Sequence, residues 1–175
     1  SFANSLLNNQ QYIPKIKYVK TFENLVGDPF RMVKRTTDLS FVTVGVISGS
    51  GTISGGFIQN CNIIIAKWSA DGQLKWKRIF GGSGDDIPYF LETSKDGSIV
   101  VVGTTTSKDG DLKGLAKGDM DALIIRYDKA GNLVWKNVFG GRGKDEFKKV
   151  VESSDGGFIV AGSSVSTDGD LKGLT

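Results

Sequence analysis

The sequence predicts an all-β fold that is β-propeller-like, with four-stranded antiparallel blades of about 59 residues and about three blades' worth of strands. Three observations carry this prediction. Residues 76–115 return as residues 135–174. Apolar residues come in short runs separated by turn residues, as β-strands require. The chain holds 24 glycines and only 3 prolines, a composition that favours many tight turns.

The repeat has a constant offset. Trp76 corresponds to Trp135 and Asp109 to Asp168, each 59 residues apart, and no gap is needed between them. A fixed period of this length indicates a repeat architecture in which each unit covers its neighbour. We therefore expect residues 1–175 to form one partial or half propeller. Its repeat units lie at approximately 16–80, 81–139 and 140–175, the last one incomplete.

One complete unit illustrates the predicted blade. Its second and third strands read Ile-Val-Val-Val and Leu-Ile-Ile, and such continuous apolar runs indicate a sheet that is covered on both faces. The turn at Asp96-Gly97 is a strong hairpin signal because glycine accepts a positive φ. The four predicted strands, called A, B, C and D, are residues 87–93, 98–106, 122–128 and 132–139.

The other units follow the same pattern less completely. Residues 16–22 alternate as the D strands do, and a weak strand is possible near residues 4–8. A β-solenoid is the alternative architecture, but its coils usually repeat over a shorter period. The remaining predicted strands are residues 29–37, 41–48, 62–68, 74–80, 146–153 and 158–166.

Composition excludes several classes of function. The net charge is +3, from 22 basic and 19 acidic residues that are interleaved, so nucleic acid is not an expected partner. No apolar run approaches the roughly 18 residues of a membrane span. The chain has no histidine, which excludes Ser-His-Asp and Cys-His catalysis within it. The single cysteine, Cys61, starts an apolar run and is expected to be a small buried residue.

The connections between strands are the candidate binding elements. Because the strands alternate in direction, the B–C and D–A connections share one face of the predicted blades, and loops on a rigid scaffold commonly carry binding sites. We expect no catalytic residues. The candidate ligand-binding residues on this face are Asp85, Asp86, Asp109, Asp111, Lys113, Arg142, Lys144, Asp168, Asp170 and Lys172.

Two other interpretations of these carboxylates stay open. The acids of the two B–C loops, Asp109, Asp111, Asp168 and Asp170, form a possible calcium site. However, we expect them to form structural Asx turns that cap backbone N–H groups within their own loops, and no cofactor is expected. The adjacent pair Asp85 and Asp86 would suit glycoside hydrolysis. However, neighbouring residues on a strand point to opposite faces, and Lys144 replaces the first acid in the second copy.

Several motifs together resemble a known family. GGSGDD at 81–86, DGSIVVVGTT at 96–105, GDMDALII at 118–125 and AGNLVW at 130–135 are similar to the bacterial β-propeller repeat. The resemblance covers residues 62–175 well and implies a secreted or cell-surface protein of bacterial or archaeal type. The family has no shared catalytic set, so the resemblance implies architecture and location but no ligand.

The sequence thus favours a non-enzymatic extracellular or cell-surface module that binds a protein or glycan through the B–C and D–A loops. A propeller hydrolase or lyase acting on polysaccharide is one alternative, and a structural spacer or assembly unit is another. Three blades are too few to close a ring, since propellers use about four to eight. We therefore expect either further blades beyond Thr175 or a homodimer that completes the ring.

Overall fold

The computed structural model describes residues 30–48, 53–54, 57–58 and 60–173, and in these ranges the chain is all-β. The strands predicted at 16–22 and near 4–8 lie outside the described residues. The twelve strands are β1 (Met32–Arg35), β2 (Phe41–Ser48), β3 (Ile53–Ser54), β4 (Phe57–Ile58), β5 (Cys61–Trp68), β6 (Leu74–Phe80), β7 (Asp86–Thr93), β8 (Ile99–Thr105), β9 (Asp121–Tyr127), β10 (Leu133–Phe139), β11 (Asp145–Glu152) and β12 (Phe158–Ser164).

The strands form antiparallel sheets in chain order, as the repeat predicts. The first sheet is β1-β2-β5-β6, the second is β7-β8-β9-β10, and the third contains β11 and β12. The predicted strand bounds agree with the observed ones to within a few residues. The sequence did not predict the small hairpin β3-β4, which lies in the connection between β2 and β5.

The first core lies between the first and second sheets. Aliphatic side chains of β2 and β5 pack against those of β8 and β9, with Phe80 and Leu112 at the end near the loops. All of these side chains are buried. At roughly 25 cal/mol per Å² of apolar surface removed from water, this burial is the main force that holds the two sheets together.

A second core covers the opposite face of the second sheet. Val100, Val102 and Ile124 pack against Val150 of the third sheet. β8 and β9 are therefore covered on both faces, and every residue from Ile99 to Thr105 is buried. This arrangement confirms the interpretation of their continuous apolar runs.

The tight turns follow the predicted Asp-Gly chemistry. Gly97 in the β7-β8 turn and Gly156 in the β11-β12 turn both have φ of +84°. The corresponding turn between β1 and β2 has the same hydrogen-bond pattern but places Leu39 in the left-handed region, at φ +62°. Left-handed backbone costs a residue with a side chain about 1–2 kcal/mol, so this turn is strained.

Leu39→Gly is expected to raise the free energy of unfolding by about 1 kcal/mol. Glycine removes the backbone strain of the folded state, and the greater conformational entropy that it gives the unfolded chain cancels part of this gain. The Leu39 side chain is 54% exposed, so little packing is lost. Denaturant unfolding measures the change, with Gly97→Leu as the reverse substitution that should destabilise. A destabilised Leu39→Gly variant would contradict this account of the turn.

Helix is almost absent from the described part of the chain. Two 3₁₀ helices of three residues each, Gly110–Leu112 and Gly169–Leu171, occur where the sequence predicts plain turns. In the first, Leu112 is fully buried and anchors the loop to the core. Among the described residues no helix has the length and apolar character needed to cross a membrane.

Candidate functional site

The loop face is formed by the two D–A connections, residues 81–85 and 140–144, and the two B–C connections, residues 106–120 and 165–173. These segments contact one another: the Ser83 N–H donates to a carboxylate oxygen of Asp109 at 2.7 Å. The same contact joins the Arg142 N–H and Asp168 at 2.8 Å in the next unit. The predicted sharing of one face by these connections is therefore confirmed.

The first D–A connection directs consecutive backbone N–H groups at side-chain oxygens. All five N–H groups of residues 81–85 donate to an Asp, Ser or Thr side chain. An array of this kind is a nest for negative charge, and here the chain fills it with its own carboxylates and hydroxyls. In order, the acceptors are Asp111, Asp86, Asp109, Ser107 and Thr106, at N···O distances of 3.1, 2.9, 2.7, 3.0 and 2.7 Å.

The second D–A connection repeats this arrangement at four of the five positions. The exception is residue 144, because Val165 occupies the position of Thr106 and its side chain has no oxygen that could accept a hydrogen bond. The N–H groups of residues 140–143 have as acceptors Asp170, Asp145, Asp168 and Ser166, at 3.0, 3.0, 2.8 and 2.9 Å.

Asp86 is buried at the centre of the first nest. It has no exposed surface, and its carboxylate also accepts hydrogen bonds from the hydroxyls of Thr105 at 2.5 Å and Ser107 at 2.9 Å. Burial raises the pKa of the Asp86 carboxyl, although these three donors oppose the shift. Asp145 has the same role in the second copy, with Ser164 and Ser166 as donors. Asp86 is therefore out of reach of a ligand and has a structural role.

The carboxylates of the B–C loops also accept hydrogen bonds from groups of the chain itself. The Ser83 N–H lowers the pKa of Asp109, Arg142 lowers that of Asp168, and Lys117 lowers that of Asp170. The sequence predicted capping within each turn, but the observed N–H donors lie 26 and 30 residues away, in the D–A connection. In the described part of the chain, no set of three or more Asp, Glu, Cys or His side chains is arranged to hold a metal ion.

Asp85 points away from Asp86, as the alternation along a strand predicts. Its carboxylate accepts a hydrogen bond from the Cys61 N–H of the first sheet at 3.2 Å. Cys61 is buried, as expected, and burial together with the nearby Asp85 charge raises the pKa of its thiol to about 11. The two adjacent acids therefore do not face a common cavity.

The cations of the loop face remain accessible. Arg142 pairs with Asp168 at 2.6 Å and yet has a side chain that is 90% exposed, and Lys117 pairs with Asp170. Both line an open cavity of about 410 Å³ together with Lys108, Ala116, Gly118 and Asp119. Three further lysines are exposed on the same face and form no ion pair with a described residue: Lys113, Lys144 and Lys172.

The sequence predicted Arg142 on this face but missed the other two cations of the cavity, Lys108 and Lys117. A signal for the cavity was present in the differences between copies. Arg142 replaces Ser83 and Lys144 replaces Asp85, whereas every acid that holds a nest is the same in both copies. Acids that are the same residue in both copies have a structural role, whereas positions at which the charge differs between the copies lie on the accessible surface.

A close contact explains the first glycine of each D–A connection. A Cβ at Gly81 would lie 2.1 Å from Asn62 Oδ1 and 2.2 Å from Asp86 Oδ2, and one at Gly140 would lie 2.8 Å from Asp121 Oδ1. These oxygens of Asn62 and Asp121 are buried and accept no conventional hydrogen bond from the described residues. A side chain at either glycine would therefore collide with a buried oxygen that has little room to move.

No family model matches this chain. It is similar to the regulatory protein FlaEY of Caulobacter vibrioides, with 28% identity over 134 residues. The matched region covers 73% of this chain but only 14% of that relative, so the chain spans a small part of the length of the protein it resembles.

Proposed function

We propose that this chain is a non-enzymatic interaction module of an extracellular or cell-surface protein. In this proposal its sheets are blades of a β-propeller of the bacterial repeat type, and its loop face binds a partner protein or glycan. The observation that carries the binding proposal is the exposure of cations on the loop face. The acids there accept hydrogen bonds from backbone N–H groups, whereas Arg142, although it is paired with Asp168, still has a side chain that is 90% exposed.

The approach of neighbouring sheets supports the propeller architecture. β7, the first strand of the second sheet, lies close to β1, β2 and β5 of the first sheet. β11, the first strand of the third sheet, lies close to β7, β8 and β9 in the same way. In both cases the first strand of one sheet lies across the first three strands of the sheet before it, and we take this stacking as support for successive blades.

The chemistry of the cavity favours an anionic ligand. Lys108, Lys117 and Arg142 surround it, and Asp119 is the only acid among the described residues that line it. Guanidinium and ammonium groups bind carboxylates through charge-assisted hydrogen bonds. The described lining contains no aromatic residue on which a flat sugar ring could stack. We accordingly favour an acidic segment of a partner protein over a neutral glycan.

The relative is named as a regulatory protein, and this chain matches only a small part of its length. A recognition role for this chain would suit such a protein. No observation favours the alternative function of a polysaccharide hydrolase or lyase, because Asp86 is buried and Asp85 faces the first sheet.

Binding to poly-glutamate tests the proposal. We expect the chain to bind this polymer, and we expect Lys108→Ser with Arg142→Ser to weaken binding at least about tenfold, since each lost charge contact is worth about 1 kcal/mol or more. Serine is the residue of the first copy at the position of Arg142, so the fold should tolerate it. Affinity should also fall as salt is added, because screening weakens exposed charge pairs.

The matched control removes the same two charges from the opposite end of the sheets. Lys95 and Lys129 are exposed in the β7-β8 and β9-β10 turns, and Lys95→Ser with Lys129→Ser should leave affinity unchanged. Equal losses in the two double variants would mean that net charge alone attracts the polymer, and the loop-face proposal would fail. Binding to a uronic-acid polysaccharide but not to poly-glutamate would replace the protein ligand with a glycan.

A further inference from the structure

The guanidinium of Arg142 is held along one edge only. Its Nε–H donates to Asp168 Oδ2 at 2.6 Å, and yet the side chain is 90% exposed. A guanidinium carries N–H donors on Nε, Nη1 and Nη2 in a fixed planar fork. Among the described residues, Asp168 alone accepts a hydrogen bond from this group. The donors on Nη1 and Nη2 are therefore available to a ligand in the cavity that Arg142 lines.

Asp168 has a fixed position of its own. Its other carboxylate oxygen, Oδ1, accepts the backbone N–H of Arg142 at 2.8 Å and lies 2.3 Å from the place where a Cβ of Gly141 would be. The loop that carries Asp168 is attached to the same connection, because the Asp170 N–H donates to the Gly140 carbonyl oxygen at 3.0 Å. The backbone and side-chain N–H groups of Arg142 lower the pKa of the Asp168 carboxyl, which favours its charged form. Asp168 is thus a rigid anionic support for the guanidinium.

The first unit has the same backbone contact without the cation. There, Asp109 accepts the N–H of Ser83 at 2.7 Å. No cation among the described residues forms an ion pair with Asp109. Asp168 makes the equivalent backbone contact and pairs with the Arg142 side chain in addition. The nest of the second unit therefore uses one of its acids for a further purpose.

We propose that Asp168 is a positioning residue of the loop-face site, which holds Arg142 by its Nε edge so that Nη1 and Nη2 receive both oxygens of one ligand carboxylate. This inference rests on the function proposed above and specifies how the anionic ligand is recognised. The carboxylate of a Glu or Asp side chain is planar and matches two parallel N–H donors. A guanidinium that is already oriented also loses less conformational entropy when the ligand binds.

The cations of the cavity consequently have different roles. An ammonium group is a compact charge on a flexible stem, so Lys108 and Lys117 attract an anion without fixing its orientation. Arg142 adds directional recognition, because its fork accepts a carboxylate in one plane. The site should therefore lose affinity when this arginine is replaced by lysine, although the charge is unchanged.

Exchange of the Arg142 Nε–H with solvent, measured by NMR in the absence of ligand, tests the positioning role. A proton in a stable hydrogen bond exchanges more slowly than a free one. We expect Asp168→Asn to accelerate this exchange at least about threefold, because asparagine is uncharged and has one acceptor oxygen for both N–H groups of Arg142. An unchanged exchange rate would overturn the inference, since Asp168 would not be what holds the guanidinium.

Affinity for poly-glutamate tests the recognition itself. Arg142→Lys keeps the net charge and should weaken binding about fivefold or more, because lysine cannot form the fork. Asp168→Asn removes a negative charge, which by itself would strengthen the binding of an anion, and yet we expect it to weaken binding about threefold. Asp109→Asn is the matched variant: it removes the same charge and the equivalent nest acceptor but no support of an arginine, so it should bind more tightly than Asp168→Asn.

The outcomes separate this inference from the proposed function. Unchanged affinity of Arg142→Lys, or increased affinity of Asp168→Asn, would overturn the inference, because the ligand would then respond to charge alone. Equal affinities of Asp168→Asn and Asp109→Asn would also overturn it, because the loss would come from the nest. The proposed function survives each of these results if Lys108→Ser with Arg142→Ser still weakens binding. If poly-glutamate does not bind at all, the proposed function fails, and the Nε–H exchange still decides whether Asp168 positions Arg142.

Discussion

Gly140→Ala is expected to lower the free energy of unfolding by more than about 3 kcal/mol. Two effects add at this position. The backbone has φ of +157°, which residues with a side chain rarely adopt. In addition, the new Cβ would lie 2.3 Å from Asp145 Oδ2 and 2.8 Å from Asp121 Oδ1, and both carboxylates are buried and unable to move aside. Denaturant unfolding monitored by tryptophan fluorescence measures the loss.

Gly156→Ala is the matched control for this prediction. Gly156 also has a positive φ, +84°, but no atom lies within 4 Å of the Cβ it would gain. Its replacement should therefore cost only the roughly 1–2 kcal/mol of left-handed strain. An equal decrease in the free energy of unfolding of the two variants would contradict the prediction. It would mean that the carboxylates beside Gly140 move aside for the methyl group, so that the close contact adds no cost.

The second large effect is expected from Asp86→Ala, which should destabilise the chain by about 3 kcal/mol or more. The substitution leaves the Gly82 N–H and the hydroxyls of Thr105 and Ser107 without their acceptor in a buried site. A buried donor without a partner costs about 1–3 kcal/mol. Thermal or denaturant unfolding under identical conditions measures the difference from the unsubstituted chain.

Two comparison variants make this prediction specific. Asp86→Asn keeps the size of the side chain but has one acceptor oxygen where the carboxylate has two, so at least one of the three donors faces an amide N–H₂ group, and we expect it to destabilise as well. Asp119→Ala removes an exposed carboxylate from the same face and should change stability by less than about 0.5 kcal/mol. Full stability of Asp86→Asn would show that one acceptor oxygen is enough at this position, and the second oxygen of Asp86 would lose its assigned role.

The strands of the sheets could be predicted because the sequence signals that define them are local and occur in two copies. Asp96-Gly97 defines a turn, the apolar runs beside it define strands, and the 59-residue offset transfers the assignment to the next unit. The hairpin β3-β4 was missed because it lies in the first unit, where the repeat is weak. Its residues have no counterpart from which a strand could be inferred.

The organisation of the loop face was less predictable because it depends on contacts between distant residues. Asp109 and Asp111 form a familiar turn motif, and nothing in that motif states that their acceptor oxygens serve Ser83 and Gly81. The cations were identified only in part, since exposure depends on which charges the fold has already engaged. Lys108 has an ordinary sequence context, and only the folded loops place it beside Arg142.

The nest has a consequence for how a protein of this kind grows. Its donors at residues 81–85 and its acceptors, the last of which is Asp111, all lie within a segment much shorter than one repeat. A duplicated stretch of coding sequence 59 residues long therefore carries both halves of the nest with it. Each duplicated copy contains all the N–H donors and side-chain acceptors of its own nest, and no matching substitution is needed in another copy. Such chains can therefore lengthen by one sheet at a time.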